Sequence, residues 1–291
     1  MRVRDALHRF LFEHLDVRGE LVHLDDSWKA VLERRAYAPV LRRVLGEAMA
    51  AAALLSATIK FQGLLTLQLQ GQGPLRLLVV QCTHDGQLRG LARANGGAIE
   101  EQPLDRLCVD GTLTITIDSG AEQDRHQGIV SLEGGSLAAA LERYFARSEQ
   151  LPTRLYLSAD QHTAAGLLLQ QVPGLDADPD AWPRIEILGD TVTETELLTL
   201  EARQLIRRLF HQEDVRLFAA RELCFQCSCS AQRTATLLRA LGQEEVQAIV
   251  AEQGQISVTC EFCGKQYVFD PVDAAGLFAA VPPPGGSTTR H

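Results

Sequence analysis

Four cysteines near the C-terminus constrain this chain more than any other feature: Cys227-Ser-Cys229, then Cys260-Glu-Phe-Cys263. Each short spacing lets two thiolates reach one ion, and two such pairs meet the tetrahedral, sulfur-rich demand of a structural zinc. The same spacings also place near neighbours to pair as disulfides once the metal is gone. The second pair continues as Gly264-Lys265 and lies between two strand-like runs, Ile256 to Thr259 and Gln266 to Phe269, which reads as a knuckle. Ser230 to Leu241 and Gln243 to Gln253 read as helices closed by Gly242 and Gly254. The expectation is one zinc per chain in the reduced protein, held by Cys227, Cys229, Cys260 and Cys263. Buried free thiols, a thioredoxin-type redox pair and a constitutive zinc-ribbon interaction module are the alternatives. The thioredoxin reading needs its C-x-x-C beside a βαβ pattern, and this pair sits between strands instead.

Five of the seven cysteines lie between 224 and 263. Such clustering points to metal binding in a reducing compartment rather than to a secreted disulfide framework. Cys224 makes a further C-x-x-C with Cys227; one zinc needs four ligands, so Cys224 reads as a bystander. Cys82 and Cys108 have no partner at metal spacing and read as small core residues. Met1-Arg-Val-Arg-Asp carries charge where a signal peptide needs an apolar run, so a cytoplasmic location is expected. The longest apolar stretch, Glu47 to Lys60, is too short to span a bilayer. The net charge of −9 argues against general nucleic-acid binding, which depends on neutralising phosphates. The cysteine module is itself acidic: Arg233, Arg239 and Lys265 face Glu244, Glu245, Glu252, Glu261, Asp270 and Asp273. No P-loop, GxGxxG or paired-histidine motif is present, and no hydrolytic or phosphoryl-transfer constellation, so the chain reads as a non-enzyme.

The rest of the chain reads as α+β: an N-terminal domain with an antiparallel sheet covered by helices, a helical linker and a small C-terminal zinc-binding domain. Val40 to Phe61 is a long helix, rich in alanine between Ala48 and Ala53, of the kind packed on most sides. Leu64 to Gln70 and Thr112 to Asp118 alternate with period two, and Leu75 to Val80, Leu88 to Ala92, Gly128 to Leu132 and Leu155 to Ser158 read as further strands. Leu137 to Ser148 reads as a surface helix. The Pro- and Asp-rich stretch from Val172 to Pro183 marks a boundary. The expected domains are residues 1–174, a linker over 175–223, the cysteine domain over 224–281 and a disordered tail over 282–291. Thr193-Glu-Thr-Glu196 is a capping box for a linker helix whose stripe is Leu198, Ala202, Leu205 and Leu209.

Over nearly its full length the chain resembles the heat shock protein 33 family of redox-regulated chaperones. The resemblance runs through Val17-Arg-Gly-Glu-Leu21, Leu54-Leu-Ser-Ala-Thr-Ile-Lys-Phe61 and Gln68-Leu-Gln-Gly-Gln-Gly-Pro74. It continues through Tyr144-Phe-Ala-Arg-Ser-Glu-Gln-Leu-Pro152, Phe225-Gln-Cys-Ser-Cys-Ser230 and Val258-Thr-Cys-Glu-Phe-Cys263. Cys224 is an extra thiol, and His126 stands where a tyrosine is expected. The resemblance implies an ATP-independent holdase that is inactive when reduced and zinc-bound. It also implies that oxidation pairs Cys227 with Cys229 and Cys260 with Cys263, releases zinc, activates binding of unfolded clients and favours a homodimer. A module of about sixty residues has little core of its own, so metal loss is expected to unfold it. That loss is then expected to strip the linker stripe of its partner surface. A fragment ending near Pro173 is expected to fold alone.

Overall fold

The computed structural model describes residues 5–59, 61–96, 99–119, 125–174 and 178–278. The chain divides into two units, residues 1–226 and 227–291. The larger begins with a hairpin, β1 (Ala6–Phe12) and β2 (Val17–Leu24), and a short helix α1 (Asp26–Leu32) that buries Trp28. Helix α2 (Pro39–Thr58) starts at a proline, whose fixed φ and missing N–H suit a first turn. Fifteen of its twenty residues are buried, so the helix is packed around most of its circumference. The helix stops at Thr58, short of the expected Phe61. Its last carbonyls are capped from outside: the guanidinium of Arg9 donates to Ala57 O at 2.6 Å and that of Arg18 to Thr58 O at 3.4 Å.

Strands β3 (Leu64–Gln70), β4 (Leu75–Thr83) and β5 (Gln87–Ala94) form a meander. A single turn, α3 (Leu104–Leu107), leads to β6 (Thr112–Asp118) and β7 (His126–Ser131). Helix α4 (Leu137–Tyr144) is half-buried rather than a surface helix, placing Leu137, Ala140 and Leu141 in the core, and runs into a π-helical turn at Phe145–Glu149. Strands β8 (Thr153–Ala159) and β9 (Ala164–Gln171) follow, then helices α5 (Ala181–Gly189), α6 (Glu194–Thr199) and α7 (Ala202–Leu209). Three short strands end the unit: β10 (Val215–Leu217), β11 (Arg221–Glu222) and β12 (Cys224–Phe225).

These strands make two sheets. The first has the order β10-β1-β2-β9-β8, with β11 also on β1; the second has the order β12-β5-β4-β3-β6-β7. Every pairing is antiparallel except β12 with β5. Helix α2 packs on strands of both sheets, and the core it organises draws Leu7, Val22 and Leu24 from the first and Leu65, Leu67 and Val80 from the second. The approach is close enough to need Gly46, where an added Cβ would stand 2.4 Å from the Ala159 Cβ. The other face of the first sheet is covered too. Phe10, Phe12, Leu21, Leu167 and Leu169 pack there against Ile185, Leu197, Leu205 and Phe210.

That second core corrects the linker reading. The stripe is not one helix: Leu200 and Glu201 are extended, and Glu201 with Gln204 forms a second capping box that opens α7. Thr193 and Glu196 do form the expected box on α6. Leu197 is buried where Leu198 was expected to be, and Ala202, Leu205 and Leu209 pack on the first sheet. The stripe's partner surface therefore lies within the larger unit, and unfolding the cysteine module does not remove it. Cutting the chain near Pro173 would instead expose Phe10, Phe12 and Leu21, so the fragment that keeps both cores intact ends after Gln226.

The smaller unit consists of α8 (Ala231–Leu241), α9 (Gln243–Gln253), the hairpin β13 (Ile256–Thr259) and β14 (Gln266–Phe269), and α10 (Pro271–Gly276). Ser230 caps α8 by accepting the Arg233 N–H at 3.2 Å. Gly242 and Gly254, with φ of 100° and 76°, make the two joints that L-residues resist. The expected disordered tail lies in the segment outside the described residues.

Candidate metal centre

Two local structures carry the four thiols. Cys227 and Cys229 sit in the extended lead into α8, fixed by the Ser230 cap and by the Arg233 guanidinium, which donates to Ser228 O at 2.7 Å. Cys260 and Cys263 sit on the turn between β13 and β14. There the Cys260 N–H donates to Lys265 O at 2.9 Å and the Gly264 N–H to Cys260 O at 2.8 Å. Gly264 takes φ 72°, which lets the turn close.

The four Sγ atoms all lie within 4.8 Å of one another. Cys227 and Cys260 sulfurs are 3.6 Å apart, and Cys229 and Cys263 sulfurs 3.3 Å. Four sulfurs about 2.3 Å from one tetrahedral ion stand about 3.8 Å apart, so the cluster is nearly the size that zinc requires. Both of these contacts join one pair to the other, so the two pairs meet at one centre. None of the four is in a disulfide, and all are only partly exposed. Among the described residues this is the one group of three or more His, Cys, Asp or Glu side chains placed to hold a metal ion.

The protons tell the same story. Burial pushes the Cys229 thiol up, but hydrogen bonds from Tyr267 and from the neighbouring thiols outweigh it and bring it down to about 7. Burial, and donation to Cys229, push Cys263 up to about 12. Thiolates gathered at these distances repel one another, which limits how many of the four can ionise together. A divalent cation would remove that limit. The Tyr267 hydroxyl, 3.1 Å from Cys229 Sγ, is a contact that residue spacing did not disclose. Tyr267 is opposite Val258 across the hairpin, so strand register brings it to the cluster.

Cys224 is not in the cluster. It is exposed on β12, in the larger unit, with its N–H bonded to Gly86 O at 3.1 Å. Cys82 and Cys108 are buried core residues, as read, and burial pushes each thiol up to about 11.

An α+β body of two sheets sharing one helix, followed by a small unit with four convergent thiols, defines a two-part protein with an appendage whose cysteines could hold a metal ion. The family described as Hsp33 protein matches residues 5–270. The 33 kDa chaperonin of Methylobacillus flagellatus is 47% identical over the whole of both chains, and that of Nitrosococcus oceani 49% identical, again over the whole of both. The crystal structure of the 33 kDa chaperonin of Thermotoga maritima superposes with a TM-score of 0.78, covering 94% of this chain and 98% of that one at 23% identity. The chain belongs to the Hsp33 family, and it is a chaperone rather than an enzyme. Among the described residues no helix is long and apolar enough to cross a membrane.

Proposed function

We propose that the chain is a redox-regulated, ATP-independent holdase of the cytoplasm. It binds unfolding proteins under oxidative stress and takes no nucleic acid or membrane as partner. The reduced form, with one zinc on Cys227, Cys229, Cys260 and Cys263, is inactive. The observation that carries this reading is the convergence of four thiols in a unit whose apolar core is small.

Zinc, when bound, holds the four sulfurs as thiolates and ties the lead into α8 to the β13–β14 turn. The chain's own residues supply the rest. A thiolate is the form that peroxide attacks. Each pair, Cys227 with Cys229 and Cys260 with Cys263, gives two electrons to one peroxide, which takes up two protons from solvent and leaves as two waters while one S–S bond forms. Sulfurs so joined no longer serve as four anionic ligands. The module then loses its main source of order, the oxidised chain binds clients, and it associates as a homodimer.

Zinc content and suppression of client aggregation, measured together during peroxide treatment, test the proposal. Suppression should appear as zinc leaves and disappear after dithiol reductant and zinc are restored. Equal suppression by the reduced, zinc-loaded protein would indicate a constitutive binding module. Catalytic turnover of a disulfide substrate would indicate an oxidoreductase.

A further inference from the structure

Tyr267 reaches the four-thiol cluster without belonging to the ligand set. The β13–β14 hairpin fixes its place: it pairs with Val258 and belongs to the small apolar core with Val246, Ile256 and Phe269. The ammonium of Lys265 stands 5.3 Å from the centre of its ring and holds it from one face. A phenylalanine would fill the same space, so packing has no need of the hydroxyl. Among the described residues that hydroxyl makes one hydrogen bond, donated to Cys229 Sγ at 3.1 Å.

The sulfurs differ in what donates to them. Cys260 Sγ accepts from the main-chain N–H groups of Phe262 and Cys263, and Cys263 Sγ from that of Lys265, all on their own turn. Cys229 Sγ takes its donor from a side chain on the neighbouring strand. The difference bears on reaction with peroxide, which begins with a sulfur electron pair. When Cys229 reacts, that pair forms an S–O bond, the O–O bond breaks, and hydroxide leaves and takes a proton from solvent. Cys227 then attacks the oxidised sulfur, the S–S bond forms, and a second hydroxide leaves and is protonated in turn. A hydrogen bond donated to Cys229 engages a lone pair and draws charge from the sulfur, so its nucleophilicity falls.

We propose that Tyr267 sets the oxidation threshold of the Cys227–Cys229 pair: its hydroxyl, held on Cys229 Sγ by the register of the hairpin, restrains that sulfur from attacking peroxide. This restraint operates within the redox reading of the four sulfurs given above and rests on it. It belongs to the folded hairpin, since β13 and β14 must be in register for the hydroxyl to reach the sulfur. A donor behind a ligand also tunes the metal that the ligand holds, so the hydrogen bond has a spectroscopic signature apart from any reaction rate.

Two variants of the full-length, zinc-loaded protein test this: Tyr267→Phe, which deletes the hydroxyl, and Tyr267→3-fluorotyrosine, whose hydroxyl is the stronger donor. Alkylation and mass spectrometry follow the initial rate at which peroxide oxidises each cysteine pair. Cobalt-substituted samples give the energy of the sulfur-to-metal charge-transfer band. In Tyr267→Phe the Cys227–Cys229 pair should oxidise roughly tenfold faster than in the parent, with no comparable change at Cys260–Cys263, and the band should move to longer wavelength. The 3-fluorotyrosine variant should shift both readouts the opposite way. Equal rates at Cys227–Cys229 in all three proteins overturn the proposal. Changes of the same sign in both variants overturn it too, because they would make position 267 a matter of packing. If Tyr267→Phe loses zinc while still reduced, the 3-fluorotyrosine comparison decides alone. A parent protein that keeps its zinc in peroxide overturns the redox reading itself, and the restraint with it.

Discussion

The two units are ordered by different means. In the larger, Ala50 to Leu55 are all fully shielded from water within a core that spans both sheets. In the smaller, eight buried apolar residues form the core of the described segment, and of these only Val246 is fully shielded. Apolar burial suffices for the first; a unit of about sixty residues with so thin a core needs a staple, and the four thiols could supply one by holding a metal ion. Under the proposed function the same protein thus carries one part whose stability depends on packing and another whose stability depends on the chemical state of four sulfurs.

The largest expected effect comes from removing one ligand. Cys263→Ser should release the metal and unfold the smaller unit, because bound zinc contributes on the order of 10–16 kcal/mol in such modules. Hydrogen exchange should then lose protection across residues 231–269 and keep it across α2. Retained protection in the β13–β14 hairpin would break the comparison. The converse change is Leu54→Ala, which removes a fully shielded side chain from α2. It should lower the stability of the larger unit by about 2–5 kcal/mol and leave zinc per chain unchanged, as read by calorimetry and metal analysis. A drop in zinc content would mean that the two units stand or fall together.

The smallest of the three effects concerns pH. Burial pushes the Glu20 carboxyl up to about 7, against the pull of Arg9, a hydrogen bond from Thr58 and the more distant Arg18 and Arg221. Because the folded value is raised, the contribution is present below the ordinary carboxylate range and is lost as pH rises through about 7. Glu20→Gln cannot ionise. Its stability relative to the parent should therefore rise by about 1–3 kcal/mol between pH 5 and pH 8 in denaturant titrations of the larger unit. A flat difference would show that Arg9 keeps the carboxylate charged throughout.

Legibility followed the environment of each segment. β3 and β6 alternate because one side of the second sheet meets α2 while Thr66, Gln68 and Thr114 point away from the core, and both were readable. β9 was not read as a strand: buried on both faces from Ala164 to Gln170, it shows a continuous apolar run with no period. β1 and β2 escaped for a related reason, since Arg9, Arg18 and Glu20 interrupt the pattern to serve the end of α2. The break in the linker helix did have a signal, Glu201 three residues before Gln204, but the leucine spacing masked it. The convergence of the four thiols was legible, because each short spacing lets two sulfurs reach one point, whereas the Tyr267 contact depends on strand register. The short strands β10, β11 and β12 were not, because two- and three-residue segments paired through the main chain are too brief to show a period.

The order in which β1 acquires its neighbours has a consequence for synthesis. β2 pairs with it within the first 24 residues, but its other edge waits for residues 215–222. During translation that edge stays bare for most of the chain's production, at roughly 5–20 residues per second. A bare edge is a template for unwanted pairing between nascent chains. β10 and β11, which cover that edge, precede Cys260 and Cys263 in the chain, so the segments that seal the larger unit are made before the four-thiol set is complete.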